Sequence, residues 1–287
     1  MIPNGKSLLV LLCFIFSTAT SYADEPVADN NGWQWLEGGV TFRPAVASVF
    51  EPRIGFLFYG DRNNIRLDIG SGIDIISRRY REGTLAIGAE FLTFTLLESW
   101  ENMHFPVITS DYFFGLNISY TRPAGDAIVS GRFRFTHIST HLVDGHYDED
   151  TGGWRDGRDP IIYSREFLEL TGSYQHQGML IHRWYGGMQY IFNIVPGWLG
   201  QFGFQGGYEI FLPVHREYIT PYAAYDLRLV EIDGWNINHS IQAGVKFGHR
   251  FGRGLDVFIS YYDGYNLHGQ FFDETIAYWG FGFNVQL

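Results

Sequence analysis

The sequence predicts an all-β fold, a transmembrane antiparallel β-barrel of about 12 strands. Apolar and polar residues alternate over stretches long enough to cross a bilayer. Short and long connections interleave between them, and the alternation continues to the last residues of the chain. Successive side chains on a strand point to opposite faces. A membrane-crossing strand needs about 9–11 residues, against about 5–6 in a soluble sheet.

Taken in order, the chain begins with a single positive charge at Lys6, an apolar run from Leu8 to Phe16, and Ser21-Tyr22-Ala23. This pattern predicts a secretory signal peptide over 1–23, with an apolar core too short to span a membrane as a helix. Its cleavage removes Cys13, the sole cysteine, so no disulfide or thiol chemistry is expected. It also removes Lys6 and no acid, taking the formal charge from -11 to -12. An acidic chain of this kind excludes nucleic acid as a partner.

Residues 24–36 are polar and aperiodic and read as a periplasmic lead-in, with the barrel occupying 37–287. Strands are expected at 53–59, 64–76, 83–96, 110–121, 127–142, 161–175, 178–193, 200–211, 217–231, 236–250, 254–263 and 275–287, with an extra short strand open near 38–48. In the second strand, Asn64, Arg66, Asp68 and Asp74 oppose Ile65, Leu67, Ile69 and Ile73. In the fourth, Asp111, Asn117 and Ser119 oppose Tyr112, Phe114, Leu116 and Ile118. In the tenth, Ser240, Gln242 and Lys246 oppose Ile241, Ala243 and Val245.

Short connections at 122–126, 176–177 and 251–253 alternate with longer ones at 97–109, 143–160 and 264–274, the pattern of short periplasmic turns and long external loops. Arg66, Arg132, Arg134, Arg165, Lys246 and Arg250, with Asp68, Asp74, Glu169 and Asp226, would line the lumen. They would form either a plug of ion pairs or a selective pore. Tyr112, Tyr120, Trp184, Trp198 and Trp279 read as interfacial girdle residues. The C-terminal run from Trp279 through Phe281, Phe283 and Val285 to Leu287 keeps the alternation.

The chemistry concentrates between Gly131 and Gly145. Arg132, Arg134 and Thr136 share one face of that strand; Phe133, Phe135, His137, Ser139 and His141 share the other. The arginine face needs water and the phenylalanine face needs hydrocarbon, so His137 and Ser139 should face lipid near an outer rim. If the following hairpin tip lies at Thr151-Gly152, paired residues sum to 303 and Glu166 falls opposite His137. Ser139 as nucleophile, His137 as base and Glu166 as the orienting carboxylate then satisfy the generalised triad logic. His141 and Ser164 on the same face would contact the substrate. The bland alternative is a polar cluster bonding lipid headgroups, since polar groups in hydrocarbon need partners. In the following loop, Asp144, Asp148 and Asp150 offer hard oxygen ligands for calcium, or a solvated acidic surface.

His137-Ile138-Ser139, mid-chain on an outward-running strand, resembles the outer-membrane phospholipase A family and, more loosely, the outer-membrane lipid A deacylases. The stretches Tyr261-Tyr262-Asp263-Gly264-Tyr265 and Gly280-Phe281-Gly282-Phe283 are similar to the end of the phospholipase. This resemblance implies a Gram-negative outer-membrane hydrolase in which Ser139 accepts the acyl group, His137 acts as its base and calcium sits near the site. Where the phospholipase has Asn-Gly after its serine, this chain has Thr140-His141. The longer string from His137 to Gly145, with Tyr163-Ser164-Arg165-Glu166 and Gly269-Gln270-Phe271, resembles an uncharacterised family of bacterial outer-membrane proteins, which implies fold and location. Outer-membrane phospholipid or lipopolysaccharide and the barrel-assembly machinery are the expected partners, a homodimer is left open, and a small channel or structural barrel is the non-enzymatic alternative.

Overall fold

Alternating sequence with one charged and one apolar face can close on itself only if the charges turn inward and find each other, because the outward face contributes nothing but side chains for hydrocarbon. The computed structural model describes residues 32–212 and 218–286. The expected signal peptide, the first part of the lead-in and Leu287 lie outside the described residues. Twelve antiparallel strands form the wall: β1 Ile54–Tyr59, β2 Asn64–Tyr80, β3 Gly83–Glu98, β4 Val107–Ala124, β5 Ala127–Leu142, β6 Tyr163–Gln177, β7 Ile181–Val195, β8 Phe202–Phe211, β9 Ile219–Glu231, β10 Trp235–Gly248, β11 Gly254–Tyr265 and β12 Thr275–Gln286. Each pairs with its sequence neighbour, and β12 closes onto β1 from Gly280 opposite Tyr59 to Val285 opposite Ile54. Closure leaves no strand edge in the wall.

Along most of the wall the charged side chains are inside and apolar ones outside, with buried Leu92, Phe94, Phe113 and Phe167 among the interior residues. On β5, Arg134 is 0% exposed while Phe133 and Phe135 face outward, and on β4 Leu116 is 58% exposed. Arg66, Asp68, Arg132, Glu169, Asp226 and Lys246 are all buried in the lumen, as the alternation predicts. Turns at 81–82, 125–126, 178–180 and 249–253 mark the end that carries the start of β1 and the end of β12. The longer connections at 99–106, 143–162 and 266–274 cluster at the opposite end.

The lumen is filled from both ends. No strand forms over 38–48. After Gln34 and Trp35 pair with Ser77 and Ile76 of β2, the chain runs as coil through the lumen, burying Phe42, Ala45, Ala47, Ser48, Val49 and Glu51. Charge drives this placement. Glu51 accepts from Arg132 at 2.9 Å, while Arg134 donates to Glu90 at 3.0 Å and to Glu169 at 2.7 Å. Nearer the turn end, Arg43 donates to Glu209 at 2.8 Å, and Arg183 donates to the Arg43 carbonyl at 2.6 Å. Of the two expectations for the charged lumen, the plug of ion pairs is the one the structure contains.

From the other end, the 266–274 connection folds into the barrel mouth as a second strap. Asp111 accepts from His268 Nδ1 at 2.7 Å and from the Gly269 amide at 2.8 Å. Gln270 donates to the Ile161 carbonyl at 2.8 Å and accepts from the Ile161 amide at 3.0 Å. Phe271 packs edge-on to His146, whose imidazole burial pushes below its ordinary pKa. Gly269 admits no larger residue, because a Cβ there would lie 2.4 Å from the Tyr163 ring and 2.7 Å from Thr140 Cγ2. Gly269→Ala is therefore expected to expel this strap while sparing the wall. Limited proteolysis should then cut within 266–274, where the wild-type protein resists, with the β-sheet circular dichroism unchanged.

Candidate functional site on the outward face

The site lies at the loop end of β4 to β7, on the side turned away from the lumen. Its register is the one expected from the sequence: His137 is opposite Glu166, Ser139 opposite Ser164, and on the other side Phe114 and Tyr112 stand opposite His137 and Ser139. Strand pairing brings the His137 and Glu166 side chains into contact, with Nδ1 to Oε1 at 2.6 Å. The carboxylate accepts the Nδ1 proton, which leaves Nε2 as the nitrogen able to take a proton. Ser139 is the next outward residue on the same strand, two residues or roughly 6.6 Å along. Its hydroxyl has no hydrogen-bond partner among the described residues.

Glu166 has a further partner that the sequence did not reveal. Asn193 Nδ2 donates to Oε2 at 2.7 Å, and the Ser164 hydroxyl lies at 3.5 Å from Oε1. Regular alternation would turn Asn193 into the lumen. Between Ile191 and Asn193 the β6–β7 register shifts, so the extra residue Phe192 bulges outward and Asn193 takes the place opposite Glu166. The displaced Phe192 ring stacks on Phe135 at 6.0 Å, beside the polar group. An apolar strand whose tail carries an asparagine was the available signal; the bulge that aims it was not visible in the pattern.

His141 faces outward with its ring edge-on to Tyr112 at 5.8 Å, one outward position beyond Ser139. The acidic residues are not gathered. Asp144 starts a short helical turn, and Asp148 Oδ1 accepts the amides of Asp150 at 3.0 Å and Thr151 at 3.4 Å. The Thr151 side chain first, and then the Asp150 amide, hold the Asp148 carboxyl below its ordinary range. Among the described residues, no group of three or more His, Cys, Asp or Glu side chains is placed to hold a metal ion. Asp144, Asp148 and Asp150 form no such group, and calcium takes six to eight oxygens.

A family model described as "Protein of unknown function (DUF1207)" matches residues 85–286. No curated protein matches the chain. Among solved structures, the barrel is similar to outer membrane phospholipase A from Escherichia coli, at 10% identity and a TM-score of 0.48, covering 83% of this chain and 93% of that one. It is also similar to the beta domain of the Bordetella autotransporter BrkA, at 10% identity and 0.45, covering 81% and 97%. The translocator domain of the autotransporter NalP from Neisseria meningitidis matches at 13% identity and 0.40, covering 81% and 85%.

Proposed function

Because this chain belongs to the family of that description, whose membership brings no activity with it, we propose its function from the site: a serine lipid hydrolase of the bacterial outer membrane, acting on acyl esters of phospholipid or lipid A in the outer leaflet. The observation that carries this reading is the His137–Glu166 pair at 2.6 Å on a hydrocarbon-facing surface, one outward position from a free serine hydroxyl. A lipid ester reaches that surface laterally, without leaving the bilayer.

A hydroxyl is a weak nucleophile at its own pKa and needs a base within reach. Ser139 Oγ attacks the acyl carbonyl as its proton passes to His137 Nε2. The imidazolium so formed is stabilised by Glu166, itself oriented by Asn193. The same proton then goes to the departing alcohol, and water, deprotonated by His137, releases the fatty acid from Ser139. A conducting pore is the weaker alternative, because Arg134 and Glu169 are sealed among plug residues in the middle of the lumen.

The test is acyl release from mixed phospholipid and lipopolysaccharide bilayers by the refolded protein, with and without calcium. Ser139→Ala and His137→Ala should each lower release by at least about 10²-fold, with urea midpoints unchanged. Absence of release from wild type on every lipid, or release that survives Ser139→Ala, would leave a sealed structural barrel as the function.

A further inference from the structure

Next to the proposed catalytic residues, on the same outward face, lies a group of hydroxyls that the hydrolytic step does not use. Ser110 on β4 is held between Thr93 and Thr95 of β3, with oxygen separations of 3.2 Å and 2.9 Å. Ser110 is directly opposite His141 and two residues from Tyr112, which is opposite Ser139. The row therefore runs without interruption into the proposed site, on the side away from Glu166.

The hydrogen-bonding capacity of this group is one-sided. Each hydroxyl carries one donor and two acceptor lone pairs, so the two internal bonds leave a single donor against roughly four acceptors. Facing hydrocarbon, those acceptors cost free energy unless something donates to them. A phosphodiester brings acceptors only and is recognised by Arg and Lys. Of the outward neighbours Phe91, Tyr112, Phe114, His137, Ser139 and His141, none is an arginine or a lysine. The tyrosine and imidazole rings at positions 112 and 141 offer flat apolar surface beside the hydroxyls.

Resting on the hydrolase reading, we propose that Thr93, Thr95 and Ser110 form a headgroup subsite for a lipid whose headgroup is uncharged and rich in hydroxyl donors, a saccharide-bearing acyl lipid, and that this subsite sets substrate preference. The headgroup lies over the hydroxyl row against Tyr112 and His141, which brings its acyl ester to Ser139.

The experiment uses the full refolded barrel in bilayers containing a neutral diglucosyl diacylglycerol, phosphatidylethanolamine and phosphatidylcholine, with acyl chains isotopically distinct for each. Wild type is expected to release acyl chains from the glycolipid at least tenfold faster than from either phospholipid. The triple variant Thr93→Val, Thr95→Val, Ser110→Ala should lose that preference while its phospholipid rates stay within twofold. Equal rates in wild type, a preference for the ethanolamine ammonium, or a preference that survives in the triple variant would overturn the subsite. If wild type hydrolyses none of the three and releases no acyl chain from lipopolysaccharide either, the hydrolase reading fails, and glycolipid retention by native mass spectrometry then decides the subsite alone. Retention by wild type that is lost in the triple variant supports it, and equal retention overturns it.

Discussion

Glu51→Gln should lower the barrel's urea midpoint by about 1–2 M, corresponding to a loss of about 3–5 kcal/mol. Glu51 is 2% exposed and sits against Arg132 at 2.9 Å, in a lumen layer shared with Arg134, Glu90 and Glu169. Within that layer Glu51 is the carboxylate that faces both guanidinium nitrogens of Arg132. Removing its charge takes from the Arg132 guanidinium its two-point partner and leaves Glu169 at 3.5 Å, among groups that water does not reach, and breaking a buried pair on one side costs far more than never having made it. Pairing the change with Arg132→Met should restore more than half of the loss, since the Phe42 ring already packs on that guanidinium and can take an apolar chain. A single variant as stable as wild type would mean that water enters the layer and screens it.

Glu166→Gln should reduce acyl release by about 10²- to 10⁴-fold with the urea midpoint unchanged. The substitution keeps shape and volume but alters the tautomer of its neighbour. The carboxylate accepts the proton on His137 Nδ1, whereas an amide can present its NH2 group there, placing the ring proton on Nε2 where it cannot serve as base. Glu166 lies on the outward face at 20% side-chain exposure, so the barrel does not need its charge to close. Unimpaired release from this variant would remove Glu166 from the mechanism and leave Ser139 and His137 to act without it.

Much of this architecture was legible because β-strands alternate strictly, and a single register then propagates. Once Arg132 and Phe133 assign faces on β5, the outward residues of the regularly paired strands follow. The hairpin arithmetic placed Glu166 opposite His137, as the structure has it. Asn193 escaped because one bulged residue reverses the faces beyond it, and nothing local in Phe192 announces a bulge. The two straps escaped for another reason. Residues 38–53 and 266–274 have no period, since their positions are fixed by partners far away in the chain, Glu51 by Arg132 and His268 by Asp111. The acidic loop shows the converse: Asp144, Asp148 and Asp150 are close in sequence, but the turn spends the Asp148 oxygen on backbone amides.

The charged, filled lumen also dictates how this sequence can change over time. Outward positions such as Leu116, Phe133 and Leu170 need only to be apolar, so they can drift singly among Leu, Ile, Val and Phe at little cost. Interior positions are tied into sets: Arg43 with Glu209 and Arg183, Glu51 with Arg132 and Arg134. They can change only together, with the plug segment and the wall moving in step. In a soluble protein the charged surface varies and the oily core is held fixed. Here the oily surface is the part that tolerates single changes, and the salt-bridged interior is the part that does not.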